Sequence, residues 1–150
     1  MAELSEEDFQ LLYGPWRAYS PGQVAAVLTG APCRWWIAGR WAIQAAGGAA
    51  RAHADIDVAV LAEDLGAVRE QLADFHLWEA HDGALRPLRP GDALRPGREQ
   101  LWARRDSGSA WVVDILLTPT DGAEWIFKGD SRIRLPVKLD PAHPWLARIT

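Results

Sequence analysis

The chain has 150 residues, 49% of them hydrophobic, and a formal net charge of −4. That is ample apolar material for a core, so one domain spanning 1–150 is expected and wholesale disorder is excluded. The negative balance gives no general attraction to nucleic acid, and a single cysteine, Cys33, excludes an intramolecular disulfide and a cysteine-based zinc site.

The first residues, Met1 to Asp8, are acidic and lack the basic and apolar regions of an export signal. No apolar run reaches the ~18 residues that a membrane span needs, so a cytoplasmic protein without a membrane partner is expected. Ser5 reads as a helix N-cap with Asp8 three residues on, and Phe9, Leu11, Leu12 and Tyr13 as an apolar face that stops at Gly14-Pro15. Ser20-Pro21 reads as a second N-cap followed by proline at the first helical position. The helix Gly22 to Thr29 carries Val24, Val27 and Leu28 inward and ends at Gly30-Ala31-Pro32.

Arg34 to Ala38 predicts the first strand, Gly39 a tight turn, and Arg40 to Ala46 a helix closing at Gly47-Gly48. A glycine between strand and helix lets a phosphate approach main-chain N–H groups at the helix N-terminus. The same junction also occurs with no ligand.

Asp55 to Leu61 predicts the central strand. Residues i and i+2 share a strand face, so Asp55 and Asp57 project together, roughly 6–7 Å apart at Cα, while Ile56 and Val58 point into a core. Paired carboxylates repel unless a cation lies between them, and hard ions such as Mg²⁺ bind through one or two carboxylates plus substrate phosphates. A surface strand can carry Asp-x-Asp with no ion at all. A third acid, Asp114, stands among strand formers in Trp111 to Leu117, where burial without a partner is costly.

Between these acids, Glu63 to Phe75 has the helical spacing of a core face at Leu65, Val68, Leu72 and Phe75. His76 to Leu88 reads as a hairpin turning at His81-Asp82-Gly83. Arg86 to Arg98, rich in proline, glycine and arginine, reads as a surface loop, with a lid over substrate as its functional reading. Glu99 to Arg104 and Trp111 to Leu117 pair across Asp106 to Ser109. Glu124 to Phe127 and Ile133 to Val137 are short strand candidates, and Asp140 to Trp145 reads as irregular. Trp35, Trp36, Trp111 and Trp125 fall in strands, where core packing is the default. Trp41, Trp78 and Trp102 are candidates to line a cleft and stack on a base or sugar.

Taken together, Gly39-Arg40, Asp55-Ile56-Asp57 and Asp114, with the lead-in Arg51-Ala52-His53-Ala54-Asp55, resemble the DNA polymerase β-like nucleotidyltransferase superfamily. Within it the chain looks most like the aminoglycoside 2''-adenylyltransferase-like and lincosamide nucleotidyltransferase group. The likeness covers Trp35 to Leu61 well and Trp111 to Trp145 loosely. It implies an α/β fold with a mixed, mainly antiparallel sheet and helices packed on one side. It implies transfer of a nucleoside monophosphate, AMP by family, from ATP or another NTP to a hydroxyl of a small-molecule acceptor such as an aminoglycoside-like antibiotic.

In that reading Asp55 and Asp57 hold Mg²⁺ or Mn²⁺, and Asp114 takes the acceptor's proton or joins a second metal. Gly39, Arg40 and His53 lie toward the nucleotide, although structuring the turn before Asp55 is the simpler role for His53. Glu79, Asp82 and Glu124 are candidate contributors to a cationic acceptor. Arg40 departs from the small residue usual after this glycine, so a nucleotidyltransferase-fold binding module without catalysis is the alternative, with a toxin–antitoxin type modifier of protein or RNA a third. Family members continue into a helical segment, so completion by a partner chain, and with it a homo-oligomer, stays open.

Overall fold

The structure, a computed structural model, describes residues 5–38 and 55–118 together with the strand backbones at 120–121, 124–126, 134–140 and 143–149. The fold is the expected α/β type. Helix α1 is Glu6–Tyr13 and α2 is Pro21–Leu28. A 3₁₀ turn, Ala62–Asp64, leads into α3, Leu65–Gln71. The strands are β1 Trp35–Ala38, β2 Asp57–Leu61, β3 His76–His81, β4 Ala84–Leu88, β5 Gln100–Arg104 and β6 Trp111–Thr118. They are followed by β7 Thr120–Asp121, β8 Glu124–Ile126, β9 Arg134–Asp140 and β10 His143–Ile149.

The strands form one sheet in the order β4-β3-β5-β6-β2-β1-β10-β9-β8-β7. Among the described strands only the β2–β6 and β1–β10 pairs are parallel. Alternation along the strands divides the sheet into two faces. Ile37, Val58, Val60, Leu101, Ile115 and Leu117 lie on one face and form a core with Val24 and Leu28 of α2 and Val68 and Leu72 of the α3 region. Asp57, Asp114 and Trp102 lie in one register row on the other face, where Trp36, Ala59 and Leu61 make a small second cluster.

Local chemistry explains the elements. The Ser20 hydroxyl accepts from the Gln23 N–H at 3.2 Å and the Gln23 side chain accepts from the Ser20 N–H at 2.9 Å, a capping box with Pro21 at the first position. The β3–β4 turn has positive φ at both Asp82 (50°) and Gly83 (76°), the two-residue geometry that matches strand twist. At α1, Ser5 caps as expected, accepting from the Asp8 N–H at 3.1 Å.

Four expectations change. The apolar face assigned to α1 is not buried at Leu11 and Leu12, which are 80% and 64% exposed. The helix is held instead at its C-terminal end, where the Tyr13 carbonyl accepts from Arg104 Nη1 at 3.0 Å and Trp111 Nε1 at 2.9 Å. The helix expected over Glu63 to Phe75 is shorter, with residues after Gln71 leaving in a turn that still buries Leu72. The loop expected from Arg86 begins later, because Arg86 to Leu88 belong to β4; Pro87 is tolerated there since β4 is an edge strand. Finally, His143–Ile149 is a strand although two prolines made the tail read as irregular. Its ladder with β9 is irregular between His143 and Ala147, where Pro144 has no N–H to give.

Candidate functional site

The β2–β6 pair builds the site. Asp57 and Asp114 are direct partners across these parallel strands, so their side chains leave the same face of the sheet. Asp55 lies just before β2, two residues from Asp57. The Ile56 carbonyl between them accepts from the Asp114 N–H at 3.0 Å, which ties this stretch to β6. One carboxylate oxygen from each of Asp55, Asp57 and Asp114 lies within 4.8 Å of the others. The three acids proposed from sequence therefore converge, with Asp55 and Asp57 half-buried and Asp114 buried at 5% exposure.

Asp114 is held from β5. Gln100 Nε2 donates to both carboxylate oxygens, at 3.0 and 2.8 Å, and Trp102 is its cross-strand partner. Burial is the largest influence on this carboxyl and raises its pKa; the Asp57 charge adds to that, and Asp55 less so. Hydrogen bonding by Gln100 and Trp102 pulls the other way, and the net result is a carboxyl pushed up to about 7. Repulsion of this kind is relieved when a cation enters, and an all-oxygen donor set suits a hard divalent ion such as Mg²⁺.

Four tryptophans extend the same face. Trp102 packs edge-on against Trp16 (centroids 4.8 Å) and Trp111 (5.5 Å), and Trp111 against Trp78 (5.8 Å). The Arg104 guanidinium lies over Trp111 at 4.1 Å and Trp78 at 5.2 Å. Segment 15–19 runs beside the start of β6: Arg17 and Tyr19 N–H groups donate to the Trp111 and Val112 carbonyls, and the Trp111 N–H donates to the Pro15 carbonyl. Trp111 is thus core, as expected. Trp78 and Trp102 are half-buried in an aromatic cluster beside the acids, while Trp41 lies outside the described residues.

Other expectations meet different fates. Gly39, Arg40 and His53, assigned to the nucleotide, lie outside the described residues, as does the Glu124 side chain. Glu79 is not available to a cationic acceptor. It points to the opposite face, its side chain is fully covered, and Arg95 grips it through Nε at 2.8 Å, Nη2 at 2.6 Å and its backbone N–H at 3.0 Å. Arg86 and Arg98 approach the same carboxylate at 3.7 and 3.8 Å. Asp82 is exposed and pairs with His81 at 3.0 Å. Sequence reasoning did not single out Gln100 or Arg104. The alternation of Gln100, Leu101, Trp102 and Ala103 placed Gln100 on one face with Trp102, but only the β5–β6 register puts it against Asp114.

Residues 22–91 match the family model described as Aminoglycoside-2''-adenylyltransferase. Over that segment the chain is similar to the aminoglycoside adenylyltransferase-like nucleotidyltransferase group. Asp55 and Asp57 fall inside the matched segment. Asp114 falls beyond it and joins them through the β2–β6 pairing. A comparison with curated proteins finds no match. Among the described residues no helix is long and apolar enough to cross a membrane.

The raised Asp114 carboxyl has a measurable consequence in the metal-free chain. Folded, Asp114 keeps its proton up to about pH 7; unfolded, it loses it near pH 4. Between those values the folded state binds the extra proton, so its contribution to stability falls as pH rises from about 4 to 7, and the penalty is complete above 7. Asp114→Asn removes this term. In chelator, at pH 8, it is expected to raise the melting temperature by about 4–8 °C, corresponding to roughly 2 kcal/mol, with the gain shrinking toward pH 5. A gain of the same size at both pH values would refute the assignment.

Proposed function

We propose that this chain transfers a nucleoside monophosphate, AMP from ATP, to a hydroxyl of a small-molecule acceptor. The convergence of Asp55, Asp57 and Asp114, the first two inside a segment matched by an adenylyltransferase family, carries this reading. Asp55 and Asp57 would hold Mg²⁺ together with the triphosphate oxygens. The bound ion would supply charge stabilisation at the attacked phosphorus and on departing pyrophosphate.

The chain's own residues account for the rest. Asp114 accepts the acceptor's hydroxyl proton as the new O–P bond forms at the α-phosphorus and the bond to the bridging oxygen of pyrophosphate breaks. Gln100 fixes the orientation of that carboxylate by donating to both oxygens. Trp102 flanks it, limiting water at the site.

The test is incubation with each of the four NTPs, Mg²⁺ and a panel of hydroxylated acceptors, scored by pyrophosphate release. Release that requires acceptor and stops in chelator is the expected result. Nucleotide binding without release from any acceptor would replace the enzyme with a binding module, and absence of nucleotide binding would remove the reading altogether.

A further inference from the structure

Trp102 stands between the acids and the aromatic cluster, and part of what fixes its ring comes from far upstream in the chain. On β5 it is the cross-strand partner of Asp114 and shares a sheet face with Gln100, whose amide donates to both Asp114 oxygens. The ladder decides which face the Trp102 side chain leaves from, but not how the indole turns about its own two torsions. Neighbouring rings decide that. Trp111 packs edge-on against it with centroids 5.5 Å apart, and Trp16 does so at 4.8 Å. Aromatic pairs favour such geometries, so a ring held by two neighbours has one preferred orientation.

Trp111 is fully buried on β6. Trp16 is carried by a strap formed by residues 13–19. Gly14, with φ of 98°, turns the chain out of α1, and residues 15–19 then run beside the start of β6, with Trp16 bridged to Trp111. Trp111 is bound to the strap three times. Its indole Nε1 donates to the Tyr13 carbonyl at 2.9 Å, its N–H donates to the Pro15 carbonyl at 3.0 Å, and its carbonyl accepts from the Arg17 N–H at 2.9 Å. Arg104 on β5 donates to the same Tyr13 carbonyl at 3.0 Å while its guanidinium lies over Trp111. The strap is therefore tied to both strands that flank the acid at 114. Strap residues 13–19 and Trp102 all lie outside the matched residues 22–91.

Resting on the nucleotidyl-transfer reading of the acid cluster, we propose that Trp16 is a positioning residue for transfer. It holds the Trp102 ring in the orientation that forms the flank of the site beside Asp114, and acts through that ring without touching substrate. An acceptor hydroxyl must meet Asp114 in a narrow range of geometries, and a ring free to turn widens that range. The loss on removing Trp16 therefore falls on the rate of transfer rather than on ATP binding.

The experiment compares wild type, Trp16→Leu and Trp16→Phe. Pyrophosphate release is followed with ATP·Mg²⁺ and whichever hydroxylated acceptor wild type uses fastest. The Trp102 indole signal is followed in the ¹⁵N-labelled full chain, assigned through Trp102→Phe. Leucine keeps an apolar side chain in the strap but offers no ring edge. It is expected to lower kcat by about tenfold, to leave KM for ATP within about twofold, and to shift the Trp102 signal. The Trp35 signal, from a ring packed against the core on the other side of the sheet, is expected to stay in place. Phenylalanine is expected to restore most of kcat and to return the Trp102 signal toward its wild-type position. A role confined to stability would treat leucine and phenylalanine alike in folded protein. Trp16→Ile repeats the test if Trp16→Leu does not fold.

With wild type active, an unchanged kcat in Trp16→Leu, equal kcat in the leucine and phenylalanine variants, a loss that falls on KM for ATP, or a stationary Trp102 signal overturns the proposal and leaves the transfer reading intact. No release from wild type with any acceptor sinks the transfer reading, and the positioning role with it.

Discussion

Saturating ATP and Mg²⁺ are expected to raise the melting temperature of the wild-type chain by about 5–10 °C and to leave Asp57→Asn unmoved. A ligand at a hundredfold its Kd stabilises by about 2.7 kcal/mol, and a chain of this size gains roughly 2–4 °C per kcal/mol. Asp57 is the natural place to break the site because it faces Asp114 directly across the parallel ladder. Asparagine keeps its shape and removes the charge that a hard cation needs. Because that charge also pushes the Asp114 carboxyl up, the variant relieves repulsion, and its metal-free fold is expected to be at least as stable as wild type. Nucleotidyl transfer should fall by about 10³-fold or more, since charge stabilisation by a bound metal contributes several kcal/mol at the transition state. Equal thermal shifts in the two proteins, read by differential scanning fluorimetry with and without Mg²⁺, would dismiss the carboxylates as a metal site.

Glu79→Gln is expected to be the most destabilising conservative change in the described part of the chain. Its side chain is fully covered, yet what covers it is long arginine side chains rather than packed core: Arg86 and Arg95 are about half exposed and Arg98 a quarter. Burial alone would raise its pKa. The hydrogen bonds from Arg95 and the charges of Arg95 and Arg86 outweigh that and hold the carboxyl below its ordinary value. Removing the charge leaves three guanidiniums facing one another.

Breaking a fully buried pair costs roughly 3–5 kcal/mol, and the partial exposure of the arginines reduces that to about 2–3 kcal/mol. The melting temperature at pH 7 should drop by about 4–12 °C. The linkage runs in the opposite sense to Asp114. A depressed carboxyl contributes its stability above its unfolded pKa, near 4.3, and loses it as pH falls through the folded value. The gap between wild type and variant should therefore begin to close below about pH 4 and vanish only as the pH falls past the folded value. The loop after β4 should loosen at the same time. It is fastened by Arg95 to Glu79 and by Arg69, whose guanidinium donates to the Asp92 and Arg89 carbonyls at 2.5 and 3.0 Å. Faster proteolysis within 89–99 would report this loosening. A variant with unchanged melting temperature and proteolysis would show that the arginines are adequately solvated without Glu79.

Much of this molecule was already legible in local patterns. Ser20-Pro21 announced a capped helix because its hydroxyl and the proline ring act within one turn. Asp82-Gly83 announced a hairpin because that turn needs two positive φ angles. The alternation through Asp55-Ile56-Asp57-Val58 placed two acids on one face because strand geometry has a period of two. The family likeness drew on the same stretch, and the segment later matched contains it.

What local pattern could not supply was partnership between distant strands. The acid at 114 becomes part of the site only because β2 and β6 run parallel with Asp57 opposite Asp114, a register set by the whole sheet. Gln100 acquires its role from the β5–β6 ladder, and Arg86, Arg95 and Arg98 become an inward clamp because Glu79 faces the core side two strands away from β6. Leu11 and Leu12 show the converse. Their spacing was that of an inward face, yet burial requires an opposing surface, and α1 is instead anchored by its last carbonyl. Residue identity determined what each side chain can do chemically. Which of them meet, and so which chemistry the chain can perform, was decided by strand order and register, because both depend on contacts between residues far apart in sequence.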